Sequence, residues 1–419
     1  MKLEENNNIN SQLEDNKTTK KRKKFKEKSK GAKIAIVTGI SLSSILLLAL
    51  LGAGGYVGYV SAQFYRIEDK TDLTKDIIKG TGTIKNASNI DKNTELSILT
   101  YNVGFGAYDH DYSFFMDVGT MKDGTVITGK YAKAINKDHA TKNTAGSVKK
   151  IKEENTDFVF LQEVDKESDR CYHINQYDEF NKALTSYSSV YASNFHTAYL
   201  AYPFNDPIGK TEAGIVTYSK YGLTSSLRRS YPVDLSFPTK FFDLDRCFSV
   251  SRITLSSGKD LVLANSHMSA YDEGGKIRKQ QLEMLTSFMT EEYTKGNYVI
   301  VGGDFNHDLC SSADQFESDE LHPDWVAEIL PTDIPEHFSI VSGMYGQDNV
   351  TKVPTCRAAE MPYTKKTNSE GKEYLSNYSV VIDGFICSDN ITVTDYYNID
   401  WDFEFSDHNP AKMSFTLNM

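Results

Sequence analysis

Five cysteines in 419 residues, Cys171, Cys247, Cys310, Cys356 and Cys387, never fall into a CxxC pair, which excludes a zinc ribbon and a thioredoxin-type redox site. Their odd number leaves at least one thiol unpaired even in an exported chain, and all five read as buried thiols. No unit recurs at a fixed period, which removes solenoids and propellers. Basic charge is scarce after residue 33: residues 34–419 carry 35 Lys and Arg against 52 Asp and Glu, a balance of −17. A surface that acidic does not hold polyanions by bulk electrostatics, so a phosphate or nucleic-acid ligand has to be gripped locally, at a basic groove or through a bound cation. Tryptophan is nearly missing, with 2 against 25 Tyr and 22 Phe, a balance that points to strands and aromatic loops.

Charge is absent altogether from Ile34 to Tyr65, a stretch that includes Ile45-Leu46-Leu47-Leu48-Ala49-Leu50-Leu51. It exceeds the roughly 20 apolar residues that cross a hydrocarbon core, and predicts a transmembrane helix over 34–60. The rival is a cleaved signal peptide ending at Val60-Ser61-Ala62, against which the length of the apolar stretch argues. Residues 1–33 hold 11 Lys and Arg with no apolar periodicity and are expected to be a disordered cytoplasmic tail. The positive-inside rule then sends everything beyond Arg66 across the cell membrane, as a single-pass protein with an extracellular catalytic domain. Gly54 and Gly58 form a small-xxx-small pair that would support weak homodimerisation through the helix. Residues 61–93, with Gly80-Thr81-Gly82-Thr83 and Asn86-Ala87-Ser88, read as an extracellular stalk, and the folded domain is expected over 94–419.

From there apolar strand-like runs recur at Leu96–Tyr101, Phe158–Leu161, Gly214–Tyr218, Cys247–Leu255, Leu261–Ala264, Tyr298–Val301 and Val380–Cys387, with a helical pattern over Lys276–Glu291. Ser256-Ser257-Gly258-Lys259-Asp260 is too short for a parallel crossover, so the sheet is at least partly antiparallel. Polar residues stand where these runs end: Asn102, Gln162-Glu163, Asn265-Ser266-His267, Gly302-Gly303-Asp304-Phe305-Asn306 and Ser406-Asp407-His408-Asn409-Pro410. Any one of these has a bland reading as a turn former, surface carboxylate or core histidine. Together they supply what phosphoester hydrolysis needs: hard oxygen ligands for Mg²⁺ or Ca²⁺, a group to orient water, and imidazoles beside an anionic phosphorus.

In this order LTYNVG, LQEVD, NSHMSAY, GGDFNHD, VIDGFICSD and SDHNP, over residues 96–410, resemble the signature blocks of the endonuclease/exonuclease/phosphatase superfamily, which includes deoxyribonuclease I and neutral sphingomyelinases. The resemblance implies an α/β (α+β) four-layer sandwich, two packed mixed, largely antiparallel sheets flanked by helices, preceded here by the transmembrane helix. It implies Glu163 as principal metal ligand with Asn102 and Asp407 beside it, and Mg²⁺, Ca²⁺ or Mn²⁺ as the cation. Asp304 is similar to the residue that prepares the attacking water, Asn306 to the amide that holds a phosphate oxygen, and His408 to the histidine at the scissile phosphate. Asp383 resembles the carboxylate that orients that histidine, and His267 the second histidine of the phosphodiesterase branches.

Glu212 is the candidate partner of His267, with an exposed turn position as the alternative. Arg357 and Arg278 are candidate phosphate contacts, with surface ion pairing as the alternative. The segment His110–Gly146, with Tyr108, Tyr112, Phe114 and Phe115 at or near its start, departs from compact family members and reads either as a substrate- or membrane-contacting loop or as a stabilising lobe. The functional expectation is a divalent-metal-dependent phosphoester hydrolase, with phosphodiesters of lipids or small molecules as substrates. The alternatives are an extracellular nuclease and a catalytically inactive module that binds phosphorylated ligands at the cell surface.

Overall fold

The computed structural model describes residues 17, 19–22, 29–270, 275–344 and 353–419. Most of the tail expected to be disordered, and Tyr271 at the end of NSHMSAY, lie outside them. The chain divides into two units, 1–63 and 64–419. The first is built on α1 (Lys30–Gln63), which among the described residues is the one helix long and apolar enough to cross a membrane. At about 1.5 Å per residue it exceeds a hydrocarbon core of about 30 Å.

In the second unit, sheet formation follows the apolar runs. One sheet has the order β12 (Ile391–Asn398), β13 (Ala411–Leu417), β2 (Leu96–Asn102), β3 (Phe158–Asp165), β5 (Glu212–Ser219), β4 (Ser188–His196). The other has the order β1 (Thr71–Asp72), β6 (Ser225–Ser230), β7 (Cys247–Thr254), β8 (Asp260–His267), β9 (Tyr298–Asp304), β11 (Asp383–Ser388), β10 (Phe338–Ile340). Two neighbouring pairs run parallel, β2 with β3 and β8 with β9. Each connection contains a helix, α2 (Lys137–Glu154) and α4 (Lys276–Thr294) respectively, as a parallel crossover requires. The expected β7–β8 hairpin is antiparallel from Thr254–Asp260 to Cys247–His267.

Strands β2, β3 and β9 are apolar along their length because both faces are covered. Ile98, Phe158 and Phe160 of one sheet pack against Leu261, Leu263, Ile300 and Phe385 of the other. On the outer face of the second sheet Val262, Val299 and Val301 meet Leu285, Phe288 and Met289 of α4. On the outer face of the first, Leu99, Val159 and Leu161 meet Ile151 of α2 together with Tyr177 and Phe180 of α3 (Gln176–Ala183). The layers are therefore helix, sheet, sheet, helices, the four-layer sandwich expected.

Two expectations about connecting segments change. Residues 64–93, read as a stalk, lie on the sheet: Thr71 and Asp72 pair with Arg228 and Leu227, and Asp69 pairs with Arg229 at 2.9 Å. Their polar composition hid this because the strand they join, Ser225–Ser230, is itself polar. The segment after Asn102 is not one long loop, since α2 begins at Lys137 under an N-cap in which Asn136 accepts the His139 N–H at 3.0 Å. Before it, Tyr112, Ala134, Ala140 and Cys171 form a small core with Tyr108 and Phe114 packed on it. This favours the stabilising lobe over a contact loop for those aromatics. All five cysteines are free, four of them buried.

Candidate active site

Strand ends bring the polar residues together. Parallel pairing sets His267 of β8 beside Asp304 of β9, and antiparallel pairing sets Asp304 beside Asp383 of β11. Lateral neighbours share a face of the sheet, so the three form one row. Gly303 makes this possible: at φ +142, a Cβ there would stand 1.9 Å from the Ser266 carbonyl oxygen. In the other sheet Asn102 ends β2, and the β3–β5 ladder breaks between Leu161 and Val164. Within that bulge Glu163 takes φ +56, which splits two adjacent polar residues. Gln162 turns into the sheet interface, donating to Asn265 at 2.8 Å, and Glu163 brings a carboxylate oxygen to 3.7 Å from His267 Nε2. Bulges and left-handed non-glycine residues concentrate where a side chain has to be re-aimed.

Asp304 is the hub. One carboxylate oxygen accepts the Asn102 amide at 3.0 Å, the other the Asn306 backbone N–H at 2.8 Å. Asn306, at φ +50, donates one side-chain N–H to the Met268 carbonyl at 2.8 Å and keeps a second. His408 Nδ1 is 2.8 Å from Asp383 Oδ2, and its Nε2 faces Asp304 at 3.9 Å. Burial alone would lower the His408 imidazole, but the Asp383 carboxylate outweighs it and holds the ring well above its ordinary range. The bond to Asp383 thus favours the charged form of His408, with Nε2 turned toward Asp304.

His267 is the opposite case. Its Nε2 lies 3.6 Å from Asp304 and 3.7 Å from Glu163, yet burial, and then the Arg246 charge, push it well below the usual histidine range. Arg246 donates to Nε2 at 2.5 Å, and the Asn194 carboxamide sits 3.3 Å from Nδ1. A guanidinium can only donate, so the ring proton belongs on Nδ1. The Asn194 oxygen, otherwise without a partner, is the group to accept it once the carboxamide is turned over.

Glu163 and Asp407 are the pair suited to a cation. Among the described residues no hydrogen bond reaches the Glu163 carboxylate, and burial together with the Asp407 charge pushes it up to about 8. Asp407 is likewise raised by burial. Two carboxylates that repel each other with few donors between them, beside the Asn102 amide oxygen, make a hard oxygen set of the kind that takes Mg²⁺ or Ca²⁺. Asp304, Asp383 and His408 also lie close enough to share an ion, but the His408–Asp383 bond already satisfies that corner.

Of the other sequence candidates, Arg357 adjoins the site: its backbone N–H donates to the Asp407 carbonyl at 2.9 Å and its charge acts on the Asp407 carboxylate, while its guanidinium donates to the carbonyls of Asp109 at 2.9 Å and Ala358 at 3.2 Å, holding the loop after β2. Two others stand elsewhere. Arg278 donates to the Trp325 carbonyl at 2.6 Å. Glu212 pairs with Lys166 at 3.8 Å, and the groups on His267 are Arg246 and Asn194 instead. Nothing in the sequence singles out Arg246, which simply precedes a strand, or Asn194, which lies inside one.

The sequence matches the family described as Endonuclease/Exonuclease/phosphatase family over residues 99–408. No curated protein matches it. Solved structures similar to it include an endonuclease/exonuclease/phosphatase from Beutenbergia cavernae, 15% identical, covering 77% of this chain and 72% of that one at a TM-score of 0.47. ANGEL2, a 2',3'-cyclic phosphatase in complex with adenosine-2',3'-vanadate, is 17% identical, covering 81% and 100% at 0.47. D. rerio TDP2 complexed with single strand DNA product is 16% identical, covering 77% and 100% at 0.45.

Proposed function

This chain belongs to the endonuclease/exonuclease/phosphatase family, and from that premise we propose that it is a divalent-cation-dependent phosphodiester hydrolase, anchored by α1 and working outside the cytoplasm. The observation that carries the reading is the Asp304 hub, with a fixed carboxylate, a histidine bonded to a second carboxylate, and the buried Glu163 carboxylate that no hydrogen bond reaches among the described residues, all where the strand ends of two sheets meet.

Glu163, Asp407 and the Asn102 amide would hold the cation. When bound, it polarises the phosphoryl oxygens and offsets the repulsion between phosphate and acidic protein. Asp304, locked by Asn102 and the Asn306 N–H, accepts the proton of the attacking water. His408, charged through Asp383, donates to the phosphate oxygen that gains charge, and the second Asn306 N–H holds another. His267 accepts from Arg246 at Nε2 and so holds that guanidinium at the site. The orientation rests on the Lys/Arg excess before α1.

The test is hydrolysis of bis-p-nitrophenyl phosphate by the full chain in detergent with Mg²⁺ or EDTA, beside His408→Ala. Turnover should require Mg²⁺ and fall by about 10²- to 10⁴-fold in the variant. Turnover that survives EDTA, or a variant as active as its parent, would refute the reading.

A further inference from the structure

Five arginines are buried among the described residues, and four of them are met by oxygen. Arg170 is forked on Asp165 at 3.0 and 2.8 Å, and Arg228 pairs with Asp245 at 3.2 Å. Arg278 and Arg357 donate to backbone carbonyls. The fifth, Arg246, is 6% exposed and makes no ion pair among the described residues. Its Nη1 donates to His267 Nε2 at 2.5 Å, and its Nε is buried without an acceptor. The same imidazole nitrogen lies 3.6 Å from Asp304 and 3.7 Å from Glu163, so the guanidinium borders the site. A buried cation whose donors go unmet is unfavourable, and an arriving anion relieves it. In a domain this acidic, Arg246 is a local positive charge of the kind a phosphate ligand requires.

Arg246 does not hold this place by itself. Its carbonyl accepts the Tyr231 N–H at 2.9 Å, and the Asp245 carbonyl accepts from Arg228 Nη2 at 2.8 Å. The Asp245 carboxylate is engaged at both oxygens. Oδ1 accepts from Arg66 Nε at 2.7 Å, while Oδ2 accepts the Ile67 N–H at 2.9 Å and pairs with Arg228. Arg66 also donates to the Tyr231 carbonyl at 2.8 Å. The backbone from which Arg246 reaches His267 is thus pinned at two successive carbonyls, and the carboxylate next to Arg246 in sequence is occupied by Arg66. All of these contacts lie within residues 64–419, and Arg66 and Ile67 belong to the segment whose composition reads as a stalk.

We propose that Arg66, acting through Asp245, is a positioning residue for the phosphate site: it sets the Arg246 guanidinium at His267, where Arg246 contacts a non-bridging oxygen of the substrate phosphate. This rests on the phosphodiester-hydrolase reading above. A guanidinium suits the role because it donates in two directions at once, one to the imidazole and one to the phosphate.

The full chain in detergent with Mg²⁺ tests it, through the KM for bis-p-nitrophenyl phosphate and the calorimetric affinity for inorganic phosphate. Arg246→Gln should weaken both by about tenfold or more, and Arg66→Gln by about threefold or more. In the Arg246→Gln background Arg66→Gln should change neither, because its effect passes through Arg246, while it lowers the melting temperature equally in both backgrounds. Arg66→Lys keeps a charge on Asp245 but cannot also reach Tyr231. It should fall between the parent and Arg66→Gln, and it carries the test if the Gln variant does not fold. A loss from Arg66→Gln that persists undiminished in the Arg246→Gln background would overturn the positioning role. Arg246→Gln with the parent's KM and phosphate affinity would overturn the contact itself. A parent inert on the soluble diester would fail the hydrolase reading, and the phosphate affinities alone would then judge the two arginines.

Discussion

Asp304 can be fixed without being neutralised because both of its oxygens accept neutral N–H groups, from Asn102 and from the Asn306 backbone. His408 depends instead on a charge, that of Asp383. Asp383→Asn should therefore lower kcat by about 10²-fold or more with little change in melting temperature, since the ring keeps a partner of the same shape but loses the charge that favours the imidazolium. Gly303→Ala should destabilise by about 3 kcal/mol or more, because it combines a positive φ with a Cβ driven into a carbonyl. Steady-state kinetics beside thermal melting checks the first, and thermal melting the second. At this scale the residues that close strands were legible in the sequence, because a strand's last side chain is handed to the cleft. Arg246 and Asn194 were not legible, and Arg278 and Glu212 meet the Trp325 carbonyl and Lys166 instead of the site, because which partner a polar side chain meets is decided by tertiary packing that leaves no local pattern.

At the level of elements, the apolar runs of β2, β3, β8 and β9 were readable because both faces of these strands are covered. Strand β6, Ser-Ser-Leu-Arg-Arg-Ser, was not, because it buries Arg228 against Ser193 and Asp245 rather than an apolar side chain. Helix α2 escaped for a related reason: its inward face is Ala140, Asn143, Thr144, Ser147 and Ile151, so it shows no hydrophobic period. Helix α4 shows how an element is locked down. Near its end Glu292 is forked by Arg252 at 2.7 and 2.8 Å and bonded by Asn297 at 2.9 Å. Burial alone would raise this carboxyl, but the hydrogen bonds from Arg252, Lys295 and Asn297 win and bring it down to about 2 from 4.5. Its folded pKa is depressed, so the stability it adds is complete above pH 4.5 and disappears as pH falls toward 2. Glu292→Gln should lower stability by about 2–4 kcal/mol at pH 7. The gap between variant and parent melting curves should close as the pH is lowered through that window, and a gap independent of pH would count against the ion pair.

For the whole molecule, charge is divided along the chain, a basic beginning before an apolar helix and then an acidic domain. Composition made that division plain. What it could not reveal is that residues 64–93 are laid onto the sheet, which follows from pairing with a polar strand. The proposed topology predicts that protease added to intact cells removes the 64–419 unit while an epitope at the N-terminus stays protected; the reverse pattern would invert it.

Dependence of turnover on Mg²⁺ concentration reaches the core of the mechanism, because it separates holding the cation from moving the proton. Glu163→Gln should raise the Mg²⁺ needed for half-maximal turnover by about 10-fold or more, whereas Asp304→Asn should cut the maximal rate and leave that concentration nearly unchanged. A Glu163→Gln enzyme with the parent's Mg²⁺ curve would mean that Glu163 and Asp407 are not the cation's seat, and the assignment of roles in the cleft would fall.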